Sequence, residues 1–307
     1  CPKGSEVIHS INPRLLFFDS FNHHLTMFDD GRRDDLRARL LARHGAARLS
    51  SLHLTRSERR TVARMLSEKV LTSHPDHVVA LPSAEAFVIT CRRLGGVIAC
   101  GHALKHYGIP LRESPGILHV AIPAQRSRVP NAIGRTVVHR VRGLLIPKDT
   151  KPPVAEVEQA LICYMRCADE LDALISLDAA LRIGYTTRSQ LASALQGPRN
   201  KPLRSLLAQA QPTARSLLET IARHDLKRAG YHPVAAVSVS GIGEVDLVLS
   251  RNPEAIVPGP ADGTHILTPA ASPALLVETD GYTYHSSPSD WHRDHLRDQA
   301  ALAQGHI

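Results

Sequence analysis

Leu275-Leu276-Val277-Glu278-Thr279-Asp280-Gly281 follows, along the chain, a second run of the same kind, Glu244-Val245-Asp246-Leu247. Each is a short apolar run that carries a carboxylate. Period-two alternation sends Asp246 to the face opposite Val245 and Leu247, and Glu278 ends the next strand. Neighbouring strands lie about 4.8 Å apart, so two such carboxylates can share one cation. Asp280, two residues past Glu278, faces the same side. A hard cation such as Mg²⁺ or Mn²⁺ needs oxygen ligands of this type and keeps waters that serve phosphodiester hydrolysis.

Working outward, helices are expected at about 202–210 and 214–229, and strands at about 234–239, 244–250 and 274–280. Glu219, in Ser216-Leu217-Leu218-Glu219, borders the apolar stripe of the second helix and is placed to reach the same ion. The Pro-, Gly- and Asp-rich segment 251–273 reads as a long loop. His285 follows Gly281-Tyr282-Thr283-Tyr284, where it can orient water, donate a proton or bind metal. Ser287-Pro288-Ser289-Asp290 caps a polar helix at about 288–304 that carries Asp294, Arg297 and Asp298.

The first half has a different pattern. Leu36, Leu40, Leu41 and Ala47 recur near helical spacing over 34–49, and Gly45 marks a turn. Thr55-Arg56-Ser57-Glu58 is a capping box opening a helix over 56–68, with Arg56, Arg59, Arg60 and Arg64 largely on one side. Val70-Leu71-Thr72 and Val78-Val79-Ala80 then flank a turn. Helix, turn, basic helix and hairpin is the order of a winged helix-turn-helix. The four arginines are its candidate contacts to nucleic acid.

Between the halves, helices are expected at 84–94 and 101–107, strands at 117–122 and 136–141, and a helical stretch from Pro152 to Leu195 interrupted at Gly184. His102 and His106 have the spacing of a zinc pair but no third ligand nearby. Cys163 and Cys167, one helical turn apart, read as small buried apolar residues. The domain division is therefore an irregular arm at 1–33, a winged helix at 34–82, an α+β and helical connector at 83–197, and a last domain at 198–307.

Bulk properties agree with a nucleic-acid partner. The 307 residues carry a net charge of +8 and a pI near 9.5, with arginine in excess of lysine, which favours planar contacts to phosphate. Hydrophobic residues at 43% exclude a mostly disordered chain. Five cysteines without framework spacing point to a reducing cytoplasm, near the nucleoid. No apolar run approaches a membrane span, and no Walker loop supports an NTP-driven motor.

The string Ser216-Leu217-Leu218-Glu219, Val245-Asp246-Leu247, Val277-Glu278-Thr279-Asp280-Gly281, His285 and Arg293-Asp294-x-x-Arg297-Asp298 resembles the very-short-patch-repair-like endonuclease domains of the PD-(D/E)XK superfamily. The resemblance covers about 210–307. It implies an α/β restriction-endonuclease-like domain in which Asp246 and Glu278 bind the catalytic metal with help from Glu219. Asp280 stands where E-x-K is usual, so His285 or Arg297 would neutralise transition-state charge. The resemblance also implies a further core strand beyond Ile307.

Residues 34–150 are similar, more loosely, to the winged-helix region of AbiE-type antitoxins, on Leu40-Leu41-Ala42-Arg43-His44-Gly45, the basic helix and the segment from Gly96 to Gly108. That similarity implies DNA binding. The expected molecule is α+β and multidomain, a DNA-binding, metal-dependent endodeoxyribonuclease of repair or phage defence, acting as a homodimer or with a defence-system partner. An antitoxin-like transcriptional regulator with an inactive nuclease fold is the alternative.

Overall fold

The computed structural model describes residues 31–126, 129, 134–260, 263–268, 273–279 and 288–307, with side chains from 295 onward in the last helix. It is mixed α+β and divides into two compact units. The first runs to Gly96 and takes in Gln125–Gly134 and Ile146–Pro153; the second holds Val97–Ala124, Arg135–Leu145 and Val154–Ile307. The expected boundary near 197 falls inside the second unit. No helix among the described residues is long and apolar enough to cross a membrane.

In the first unit, helix α1 (31–41) buries Leu36 and Leu40, and the turn that follows it ends at Gly45, whose φ of +83° only glycine adopts cheaply. A Cβ there would also meet the Ala84 Cβ at 2.9 Å. After the turn expected at Gly45 the chain forms strand β1 (Ala46–Arg48), although Ala47 fits the helical spacing, because Ala46 and Ala47 are fully buried against β3 (Val78–Ala80).

A 3-10 turn, Leu49–Leu52, leads to α2 (Arg56–Ser67). Its Thr55–Glu58 capping box forms with both reciprocal bonds, and Arg39 also takes Glu58 at 2.6 Å. These bonds, the Thr55 amide first, hold the Glu58 carboxyl down to about 2. Strand β2 (Thr72–His74) turns into β3 through Asp76 and His77, both at positive φ, and the antiparallel order is β1-β3-β2. Leu36, Leu40, Leu52, Val62, Met65 and Leu71 share one core under this sheet. Helix α3 (Ala86–Leu94) ends the continuous part.

The second unit opens with strand β4 (Val97–Ile98) and helix α4 (Cys100–His106), then β5 (Leu118–Pro123) and β6 (Thr136–Val141). β4 runs antiparallel to β5, and β5 parallel to β6. The helical stretch resolves into α5 (Val157–Cys167), α6 (Glu170–Ile183) and α7 (Arg188–Ala194). Gly184 breaks it as expected, but so does Asp169, whose carboxylate caps α6 by accepting from the Asp172 amide at 2.7 Å. α8 (Lys201–Gln209) and α9 (Leu217–Arg228) follow.

α6 is tied to α9 by a buried ion pair, Asp178 Oδ2 with Arg223 Nη2 at 2.5 Å, both side chains about 2% exposed. Thr220 Oγ1 and the Gln211 amide also donate to Asp178, and Arg223 donates to the Gln209 carbonyl.

The last sheet has the order β11-β8-β7-β10-β9, with β7 (Val234–Val239), β8 (Gly243–Ser250), β9 (Ile256–Pro258), β10 (His265–Leu267) and β11 (Ala274–Val277). β9 and β10 lie in the segment expected to be loop. They are only three residues each, too short to show alternation among prolines and glycines, and they pair because β7 offers an edge, to which β10 adds in parallel. Just after β9 the Gly259 amide donates to the Thr264 carbonyl, and a Cβ on Gly259 would sit 2.5 Å from Thr264 Oγ1. Helix α10 (Pro288–Ala303) packs Ala300 and Ala301 on the core that holds Val237, Val245 and Val248. After it, Ile307 bonds to β11: its amide donates to Ala274, and its carbonyl accepts from Leu276.

Candidate carboxylate site and its surroundings

Strand β8 presents Asp246 at a locally irregular point of the sheet. In the β7–β8 register Val234, Ala235 and Val237 face Val248, Leu247 and Val245, and Ala236, opposite Asp246, lies at φ +52°. Val245 and Val248 both join the core shared with α10, so strict alternation is interrupted there. Asp246 Oδ2 accepts from both the amide (2.9 Å) and the hydroxyl (2.8 Å) of Thr279, just past the end of β11. Those two bonds orient the carboxylate.

Glu219 reaches the same place from α9. Ser216 caps that helix by accepting from the Glu219 amide, while Glu219 Oε2 accepts from the Arg215 amide at 2.9 Å. The side chain is 7% exposed. Burial raises its carboxyl above the usual glutamate range and the negative charge of Asp246 pushes the same way, while the Arg215 amide opposes both. The two carboxylates are thus electrostatically coupled.

Glu278 has a different partner. Its Oε1 takes Arg297 Nη2 at 2.5 Å, and that guanidinium also donates to the carbonyls of Ile242 and Glu244. Glu278 and Arg297 line a cavity of about 410 Å³ with Val245, Leu276, Asp298 and Leu302. Glu278 and Thr279 lie beyond the last β11 residue, Val277, so the strand expected to 280 is shorter. Asp280 and His285 lie outside the described residues, as does the Asp294 side chain.

Glu219, Asp246 and Glu278 are not drawn to one point. Among the described residues, the one group of three or more Cys, His, Asp or Glu ligand atoms mutually within 4.8 Å is Cys100, His119, His139 and Cys167. Sequence spacing did not single that group out, and Cys167, expected to be buried, is exposed. Of the other residues weighed at that spacing, His106 is exposed and Cys163 buried. The arginines of α2, Arg56, Arg59, Arg60 and Arg64, are all exposed.

The raised Glu219 value gives a pH test. Folding then favours the protonated form, so stability is greatest below the ordinary glutamate value of 4.5 and declines as pH rises through the higher folded value. Glu219→Gln keeps an acceptor for Arg215 and removes the charge. It is expected to flatten that decline and raise unfolding free energy at neutral pH. Urea melts across pH read the effect; an unchanged slope would show that Glu219 is not a buried charge.

No protein-family model matches the chain, and no curated protein matches it. Among solved structures, the RV2827C protein from Mycobacterium tuberculosis is similar at a TM-score of 0.36 and 17% identity, over 59% of this chain and 82% of that one.

Proposed function

We propose that this chain is a DNA-binding protein with a metal-dependent endonuclease-like domain that hydrolyses phosphodiester bonds. The observation that carries the reading is the coupled pair Glu219 and Asp246, one from helix α9 and one from the middle of β8, with the glutamate buried. Two hard carboxylates, with the negative charge of Asp246 raising the cost of ionising Glu219, suit Mg²⁺ or Mn²⁺. Glu278 departs from the expected set, since Arg297 holds it. Such an ion, held by Asp246 and Glu219, would polarise a phosphate and lower the pKa of a bound water.

The protein's own contribution is positioning. Thr279 fixes Asp246, Arg215 and Ser216 fix Glu219, and Arg297 places a guanidinium beside Glu278. The restriction-endonuclease-like reading is supported by the order α9, β7, β8, β11, α10 around the carboxylates and by the bonds of Ile307 to β11.

DNA binding is assigned to the first unit. The winged-helix reading is supported by the order α1, β1, α2, then the β2–β3 hairpin, and by the exposed arginines of α2. Such contacts to backbone phosphate give affinity that falls with salt and carry little sequence information. The alternative, a transcriptional regulator with an inactive nuclease fold, is favoured by the ion pair that occupies Glu278 with Arg297 and, in the sequence, by Asp280 where the family resembled has a lysine.

The test uses the full chain with plasmid and linear DNA. Cleavage in Mg²⁺ or Mn²⁺ that stops with chelator is expected. Binding is expected to weaken with salt, and an Arg56→Ala/Arg60→Ala variant should lower the slope of log affinity against log salt by roughly 1.8. Salt-dependent binding with no cleavage in either ion would select the regulator. Absence of DNA binding would overturn both readings.

A further inference from the structure

Cys100 is the first residue of α4, His119 lies on β5, His139 on β6, and Cys167 is the last residue of α5. The parallel register sets His119 opposite Val137 and Ala121 opposite His139, so the two imidazoles stand on one sheet face, one alternation apart. Their nitrogens face each other: His139 Nε2 lies 3.0 Å from His119 Nδ1. Cys100 Sγ is 3.4 Å from His139 Nε2 and 3.3 Å from Cys167 Sγ, and Cys167 Sγ is 3.7 Å from His119 Nδ1.

Zinc held at ordinary distances, about 2.3 Å to sulfur and about 2.0–2.1 Å to nitrogen, has tetrahedron edges of roughly 3.8 Å between sulfurs, 3.3 Å between nitrogens and 3.5 Å between the two kinds. All four measured separations lie within about half an ångström of those edges. A disulfide is a different object, with sulfurs about 2.05 Å apart. Here Cys100 and Cys167 are free thiols. One histidine presents Nδ1 and the other Nε2, so two different ring edges are turned to one centre. Cys100 also holds a φ of +50°, unusual for a residue with a Cβ.

We infer that Cys100, His119, His139 and Cys167 bind one Zn²⁺ in a tetrahedral site that clamps β5 and β6 to α4 and α5. Thiolate and imidazole donors favour zinc over the magnesium or manganese of the carboxylate pair. With four protein ligands the ion has no open position for a reacting water, so its role is structural. The site is separate from Glu219 and Asp246 and does not depend on what they do.

The experiment measures metal in the full chain purified under reducing conditions. About one zinc per chain is expected, and about a tenth or less in Cys167→Ser and His119→Ala. His106→Ala, which alters an exposed histidine outside the set, should keep the full amount. Cobalt in place of zinc should give the intense visible bands of a tetrahedral thiolate site in the wild-type chain, a readout that survives if a ligand variant fails to fold. Wild-type protein that takes up less than about a tenth of an equivalent after reconstitution, or a weak octahedral cobalt spectrum, would overturn the site. So would full zinc in Cys167→Ser, or a Cys100–Cys167 disulfide in protein that takes up no metal.

Discussion

Asp246→Ala is expected to leave DNA retention unchanged and to lower Mg²⁺-dependent cleavage by about a hundredfold or more, equivalent to about 2.7 kcal/mol of lost transition-state stabilisation. The substitution removes one of two coupled carboxylates and also strands the Thr279 amide and hydroxyl that donate to it. Asp246→Asn separates these effects. Its amide oxygen can still accept from Thr279, so the local shape is kept while the charge is lost. Both variants should lose cleavage. In both, Glu219 is relieved of a neighbouring negative charge, so its carboxyl should titrate lower than in the wild type. DNA binding, assigned to α2 in the first unit, serves as the control for that unit, and an unchanged urea melt serves as the control that the unit holding Asp246 is folded. An Asp246→Asn variant that cuts at the wild-type rate would remove Asp246 from the site.

Asp178→Ala is expected to destabilise the second unit by about 3–5 kcal/mol, because it leaves the Arg223 guanidinium buried without its counter-charge. The Thr220 hydroxyl and Gln211 amide lose their acceptor in the same step. Thermal or urea unfolding reads this, with a fall in midpoint of about 10 °C. Burial raises the Asp178 carboxyl despite Arg223, so desolvation is the larger opposing effect at this pair. Replacing both partners with apolar residues, Asp178→Leu with Arg223→Met, should therefore recover most of the loss. If Asp178→Ala costs under about 1 kcal/mol, the pair is not shielded from water as the burial indicates.

What was legible in the sequence was local. The capping box at Thr55 forms as its spacing requires, since donor and acceptor are three residues apart and need no distant partner. Gly45 and Gly184 stop helices for the same reason. The helix α2, the strands β6 and β7, and the hairpin between residues 72 and 80 could be read from period alone. Where a neighbour decided the outcome, the reading failed: Ala46–Arg48 is a strand because β3 lies beside it, and His265–Leu267 because β7 does. The candidate site divides along the same line. Asp246 and Glu219 were found as polar residues interrupting apolar patterns, and the negative charge of Asp246 acts on Glu219. The pairing of Glu278 with Arg297 depends on where α10 packs, which no local pattern encodes.

By itself, then, the sequence determined the helices with their caps, the apolar faces of the longer strands, the basic side of α2 and the carboxylates available for chemistry. Those follow from interactions between residues a turn or a strand step apart. Tertiary structure alone decided the sheet orders, the partners of Glu278 and Asp178, and the meeting of Cys100, His119, His139 and Cys167. These four ligands come from two helices and two strands with no chelating pair close in sequence. Only the parallel register of β5 with β6 and the packing of α4 and α5 bring their donor atoms to one centre.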